Sequence, residues 1–134
     1  MKQDIKIGTT GEQNFVVTEQ HSIDFAVDGM PEILSTPWLI WFMEHSARNA
    51  VLPFLEQGES TVGVVVNIEH LAATPLGSSV RCKSSVIYID DTLISFRLEA
   101  HDEHECIASG THKLRVIQAE RLARRVNAKR SGQI

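Results

Sequence analysis

The sequence lacks the features of several specialised protein classes. It has two cysteines, Cys82 and Cys106, without CxxC spacing, so we expect reduced packing thiols and no disulfide framework. Its longest apolar runs, PWLIWFM and VGVVV, are far too short to span a bilayer. The N-terminal MKQDIKIGTTGEQ contains no apolar h-region. The sequence therefore predicts a cytoplasmic protein that carries no signal peptide and has no membrane partner.

Positive charge and cofactor motifs are also scarce. The formal net charge is −4, which argues against a nucleic-acid partner. We find no Gly-rich phosphate loop, no GxSxG elbow and no HExxH spacing. His101 and His104, in HDEHEC, are interpreted as a polar turn and not as a zinc site. No metal and no cofactor are therefore expected. The basic run RLARRVNAKR is interpreted as a solvated helix face or a frayed end, with contact to ligand phosphates as the alternative.

What the chain does have is the composition of an ordinary globular domain. It contains 134 residues, of which 43% are hydrophobic and 22% charged. This length suits one core, so we expect a single domain over residues 1–134 with a basic tail from about residue 119 to 134.

One segment has the pattern of a buried helix. In STPWLIWFMEHSARNA, Thr36 is a good N-cap and Pro37 fits the first helical position. Six apolar residues follow without interruption, which predicts a helix that is buried on every side. Pro53 is a candidate break, and Gly58 is a candidate C-terminal stop.

The remaining segments alternate with period two, as strands do. The alternating segments are VVVNIEHLA, LISFRLEAHD and GTHKLRVI, with a further strand in SSVRCKSSVIYI and one around NFVVT. The Asp90-Asp91 pair predicts a hairpin turn. A helix that is apolar all round needs a cover, and a curved antiparallel sheet provides one. The sequence therefore predicts an α+β fold with one long helix wrapped by about five strands.

Three polar residues in these elements are suited to chemistry. Glu44 follows six apolar residues, so it is either a surface carboxylate or a partly buried one kept at a desolvation cost for a working site. By parity, His70 points to the buried face of its strand, where it is either a satisfied core histidine or a base working near pH 7. His112 has the same parity on its own strand and is the alternative candidate for this histidine base. Thr36 stands at a helix N-terminus, where backbone N–H groups stabilise developing negative charge.

The spacing of Thr36 and Glu44 constrains how they could act together. In one continuous helix they lie roughly 12 Å apart along the axis, at 1.5 Å per residue. They can act on the same atom only if the chain before Trp38 folds back or if a second subunit supplies one of them. This spacing favours a homodimer, or a dimer of dimers, with a shared site.

The strings STPWLIWFMEH, VGVVVNIEHLAATPLG and AHDEHECIASGTHKLRVI resemble the hot-dog-fold thioesterases of the fluoroacetyl-CoA thioesterase type. The resemblance runs from about residue 12 to residue 128. It implies a long helix wrapped by a curved antiparallel sheet, and a dimer. It also implies an acyl-CoA substrate, in which coenzyme A is part of the substrate and not a cofactor of the protein. It also implies a catalytic set of Thr36, Glu44 and His70, with Gly63 close to the bound thioester.

Three positions depart from that family pattern. Met30 stands where an aromatic lid residue is expected, so we expect Met30 to bind substrate in its place. Leu114 replaces an expected arginine, and Pro37 replaces an expected glycine. Because Met30 and Leu114 concern substrate recognition, we expect hydrolysis of a small or short-chain acyl-CoA and leave the acyl group open. The alternatives are a non-catalytic acyl-CoA-binding protein and a hot-dog dehydratase or hydratase.

Overall fold

A computed structural model describes Met1 and residues 5–133. Its main elements, in chain order, are β1 (Thr10–Val16), α1 (Thr36–Val51), β2 (Glu59–His70), β3 (Ser79–Asp90), β4 (Leu93–His101), β5 (Cys106–Gln118) and α2 (Ala119–Arg130). Among the helices of these residues, none is long and apolar enough to cross a membrane.

The five strands form one antiparallel sheet in the order β1-β3-β4-β5-β2. The predicted hairpin is confirmed, since β3 ends at Asp90 and β4 begins at Leu93. The sheet curls around α1, which packs mainly against β1 and β3. This arrangement confirms the α+β hot-dog fold, with a central helix held by a curved antiparallel sheet.

Both ends of α1 differ from the sequence prediction. Ser35 is the N-cap, so the assignment of that position to Thr36 was wrong, and Thr36 is the first helical residue. The helix ends at Val51 because Pro53 lies in a short 3-10 turn that follows it. Gly58 lies beyond this turn and does not end the helix. The prediction of a helix buried on every side was also wrong, since Trp41 is 45% exposed.

The predicted alternation is confirmed in β4 and β5. Their inward residues form much of the core: Ile94, Phe96, Leu98, Ala100, His112, Leu114 and Val116. In β2 the alternation is interrupted, because Gly63 pairs with Leu114 while Val65 pairs with Lys113. Val64 is therefore the extra residue of a bulge, and its predicted place on the same face as Val66 and His70 was wrong.

The first strand begins earlier than the segment NFVVT suggested, and it pairs with β3 at the edge of the sheet. Gly11 lets this strand approach α1 closely. A Cβ at Gly11 would collide with the backbone oxygen of Ser46. A glycine is therefore required where the first strand crosses the helix.

Candidate active site

The first part of the site is a hydrogen-bonded pair at the start of α1 and the end of β2. The Oγ1 atom of Thr36 lies 2.8 Å from Nδ1 of His70. Within the part of the chain that the structure describes, the N-cap Ser35 makes no side-chain capping hydrogen bond, and the hydroxyl of Thr36 contacts the histidine instead. The Nε2 atom of His70 is buried and has no hydrogen-bond partner among the described residues. A buried polar atom left in this way is suited to binding a ligand or a water molecule.

The surroundings of His70 keep its imidazole neutral. Burial lowers the pKa of His70 from its ordinary value of 6.5, because it disfavours the charged ring. A weaker interaction with the backbone of Ala72 acts in the opposite direction on this pKa. A neutral imidazole near pH 7 can accept a proton, which is the property of a general base.

An apolar cavity adjoins the Thr36–His70 pair. Its volume is about 320 Å³, and its apolar wall includes Ile23, Ile33 and Leu71. Such a wall can accept an uncharged chain beside the polar pair.

The second part of the site surrounds Glu44, which lies about two helical turns after Thr36. The Oε2 atom of Glu44 would be 2.9 Å from a Cβ built on Gly63 of β2. A small cavity of about 170 Å³ lies here, lined by Glu44, His45, Arg48, Thr61, Gly63, His112 and Leu114. The absence of a side chain at Gly63 therefore makes room for the Glu44 carboxylate.

His112 forms part of the inner wall of the Glu44 cavity. It is 2% exposed, and its Nδ1 lies 2.9 Å from the carbonyl oxygen of Val65. Because a carbonyl accepts, Nδ1 of His112 donates, and Nε2 is the unprotonated nitrogen of the neutral ring. Burial lowers the pKa of His112, although the Val65 carbonyl and the charge of Glu44 oppose this effect. His112, the alternative candidate, thus belongs with Glu44 and not with Thr36.

The structure brings Thr36 and His70 together but holds Glu44 in a separate cavity of the same protomer. Gly63 and His70 are seven positions apart on β2, which is roughly 23 Å along an extended strand at about 3.3 Å per residue, so separate stretches of the strand carry the two parts of the site. The sequence expectation that one continuous helix keeps Thr36 and Glu44 apart is confirmed.

Two other residues from the sequence analysis lie at the margins. Met30, which was expected to bind substrate, is 41% exposed and lines neither cavity. His45 lines the Glu44 cavity, but its Nδ1 lies 2.8 Å from the Trp41 carbonyl oxygen and its ring stacks on Trp41. These contacts hold the His45 ring against the helix surface.

Sequence reasoning missed Arg48 as a site residue. It lies one helical turn after Glu44, lines the same cavity and donates a hydrogen bond to Thr61. The signal was its i+4 spacing from Glu44, which places both residues on one side of a helix. Leu114 lines this cavity too, so the cavity contains a cation from the helix and an apolar side chain at position 114.

The prediction of a polar turn in HDEHEC is confirmed. The Asp102 carboxylate accepts hydrogen bonds from the backbone N–H groups of His104 and Glu105 and from the hydroxyl of Thr74. Desolvation raises the pKa of Asp102, but these bonds and the nearby charge of His104 together outweigh it and hold the pKa below its ordinary value.

Comparison with known proteins identifies the family to which this chain belongs. The family model described as fluoroacetyl-CoA-specific thioesterase matches residues 17–120. The chain is 33% identical over 137 residues to the fluoroacetyl-CoA thioesterase of Streptantibioticus cattleyicolor, covering 96% of this chain and 97% of that one. A solved structure of the fluoroacetyl-CoA thioesterase superposes with a TM-score of 0.87 at 28% identity, covering 95% of this chain and 98% of the other.

A hypothetical protein of Thermus thermophilus, described as a thioesterase superfamily member, is also similar. It superposes with a TM-score of 0.85 at 27% identity and covers 97% of this chain and 98% of its own. The family model matches well over half of the chain, and the curated relative matches almost all of it. The protein is a member of the fluoroacetyl-CoA-specific thioesterase family.

Proposed function

We propose that this protein hydrolyses the thioester bond of a small or short-chain acyl-CoA. The observation that carries this proposal is the Thr36–His70 pair, whose buried Nε2 has no partner among the described residues. The names of the relatives support the choice of substrate, and one solved mutant of the fluoroacetyl-CoA thioesterase, 29% identical, is in complex with fluoroacetate and CoA.

The three catalytic residues have distinct roles in this proposal. His70 accepts a proton as the neutral base and returns it to the departing thiolate of CoA. Thr36 either orients His70 or serves as the nucleophile, depending on which of the two atoms carries the proton of their hydrogen bond. Glu44 activates water or attacks the thioester carbonyl, and Gly63 leaves room for the bound thioester.

These roles require Glu44 to meet the Thr36–His70 pair, and a homodimer would achieve this. β2 is the last strand of the sheet, and no described strand pairs with its outer edge. Val64, Val65 and Val66 are 49%, 45% and 40% exposed there. An open apolar edge invites pairing with another strand. We propose that two copies of β2 pair antiparallel about a twofold axis, in a dimer or a dimer of dimers.

Such a pairing would complete the site from two subunits. Antiparallel strands that pair about an axis near Val66 lie with the Gly63 end of one beside the His70 end of the other. The Glu44 cavity of one protomer would then adjoin the Thr36–His70 pair of its partner. The 45% exposure of Trp41 on α1 also supports a protomer that is partly uncovered.

A panel of acyl-CoAs tests the proposed reaction. Purified protein is incubated with acetyl-, propionyl-, butyryl- and hexanoyl-CoA, and the release of free thiol is measured. We expect the wild-type protein to release thiol and His70→Gln to lose this activity. His45→Gln, which replaces a histidine on the rim of the Glu44 cavity, is the matched control and should retain most of it. Binding of CoA esters without turnover would identify a non-catalytic protein, and hydration of an enoyl-CoA without thiol release would identify a hydratase. Either result contradicts the proposal.

Mixing two inactive variants tests the shared site. Glu44→Gln and His70→Gln protomers are unfolded together and refolded at equal concentration. In a heterodimer, one of the two sites would contain both native residues and the other neither. Random pairing therefore predicts roughly a quarter of the wild-type rate. A mixture as inactive as its components would mean that each site lies within one protomer.

The proposed reaction needs no cofactor, because side chains supply the base and the nucleophile while CoA is part of the substrate. Two free cysteines, Cys82 and Cys106, support a cytoplasmic location. The negative formal charge of the whole chain supports a small-molecule partner over a nucleic acid.

A further inference from the structure

Arg48 is a half-buried cation in the Glu44 cavity, held by neutral partners. Its Nη1 donates hydrogen bonds to Oγ1 of Thr61 at 2.7 Å and to Oγ of Ser60 at 3.3 Å. Both hydroxyls belong to β2, so the guanidinium is fixed between the helix and the sheet. Hydroxyls orient the guanidinium without neutralising its charge.

The positive charge of Arg48 has no counter-ion in the described part of the chain. No carboxylate of these residues lies within 4.0 Å of the guanidinium. Glu44, four positions earlier on α1, has the spacing of a helical ion pair, but it points toward Gly63 instead. Of the five N–H groups of arginine, those on Nε and Nη2 have no partner among the described residues.

An oriented guanidinium with free N–H groups is suited to one chemical class of ligand. Its planar edge matches a carboxylate, which it can bind through two parallel hydrogen bonds. The cavity volume of about 170 Å³ leaves room only for a short group. The Glu44 carboxylate would repel a second carboxylate in the same cavity. A ligand with a carboxylate therefore needs a positive charge that is not already neutralised, and Arg48 provides one.

We propose that Arg48 determines specificity by binding a terminal carboxylate on a short acyl group, so that the preferred substrates are CoA half-thioesters of small dicarboxylic acids. This inference rests on the proposed function, because it assigns the acyl group of the same thioester. Arg48 takes no part in bond breaking. Its contribution is to bind the end of the acyl group and thereby position the carbonyl near Glu44.

Matched substrates separate charge from shape. Malonyl-CoA and isovaleryl-CoA have acyl groups with nearly the same skeleton, since an isopropyl group replaces the carboxylate. We expect the wild-type protein to favour malonyl-CoA by tenfold or more in kcat/KM. Arg48→Gln should abolish this preference and leave the rate with isovaleryl-CoA within about twofold of wild type. Arg48→Lys keeps the charge but not the planar edge, so it should retain part of the preference.

Three results would overturn the inference. The first is a wild-type preference for isovaleryl-CoA, and the second is an equal loss with both substrates in Arg48→Gln, which would indicate a purely structural role. The third is a smaller sedimentation coefficient for Arg48→Gln, which would mean that Arg48 pairs with a carboxylate of a second copy.

Calorimetric binding keeps this test independent of catalysis. If no CoA thioester is hydrolysed, the proposed function fails. Binding of malonyl-CoA over isovaleryl-CoA by wild type, lost in Arg48→Gln, would still support the carboxylate site. Equal binding of the two esters by wild type would overturn it.

Discussion

Replacing Gly63 with alanine should damage activity while leaving the fold intact. The new Cβ would stand 2.9 Å from Oε2 of Glu44, whereas ordinary contact begins at 3.4 Å. The carboxylate must therefore retreat by about half an ångström, and since a 1 Å misplacement can cost ~10²-fold, we expect kcat to fall roughly 10- to 100-fold. Gly63 does not have a positive φ, and the displaced atom ends a flexible side chain. The free energy of unfolding should change by less than ~1 kcal/mol.

The assay is kcat with the best acyl-CoA of the panel, alongside urea unfolding. Gly110→Ala is the control, because its Cβ would collide with the backbone oxygen of Asn67 and should destabilise the protein. Glu44→Asp shortens the acid by one methylene and so moves it away from the new Cβ of Gly63→Ala. The effects of the two changes on kcat should therefore not be additive in a double-mutant cycle. Wild-type kcat in Gly63→Ala, or loss of its fold, would refute the reasoning.

Three further outcomes follow from the site and the core. Glu44→Gln should cut the rate about a hundredfold, as expected for loss of a base or nucleophile, while His45→Gln should cost much less; the reverse order in steady-state assays would misplace the site on α1. The free energy of unfolding should fall as the pH drops below 6.5, because unfolding raises the burial-lowered pKa of His112 and the unfolded chain binds more protons; His112→Asn should flatten this slope in urea titrations. Burial raises the pKa of Cys82 to about 12, so a thiol reagent should label Cys106 in the native protein and both cysteines only after unfolding.

The sequence predicted the parts of the fold that depend on local periodicity. Strands such as β4 alternate from Phe96 onward, because one side faces the helix and the other faces solvent, although Ser95 on the outer side is also buried. The bulge at Val64 was not predictable, since three valines in a row suit either face of a sheet. The exposure of Trp41 was missed for a related reason: an apolar run indicates burial without indicating what covers it.

The site was predictable as a set of residue types but not as an arrangement. Thr36 was singled out partly as a helix cap, and the structure instead directs its hydroxyl to His70. Arg48 was missed because a charged residue late in a helix is usually solvated. Only the fold reveals that Thr61 and Ser60 lie opposite it and fix its guanidinium over the cavity.

The geometry of one protomer explains why its site is divided. Thr36 begins α1 and contacts His70 at the end of β2, while Glu44 lies about 12 Å further along the helix and faces Gly63 nearer the middle of the strand. Within one protomer, Thr36 therefore stays beside His70 and Glu44 stays beside Gly63, and rotating a side chain does not bring Glu44 to His70. Antiparallel pairing through the open edge of β2 would place the Gly63 end of one protomer beside the His70 end of its partner. A twofold axis near Val66 is thus the simplest operation that would bring a carboxylate to each Thr36–His70 pair, and it would use the apolar edge that the protomer leaves uncovered.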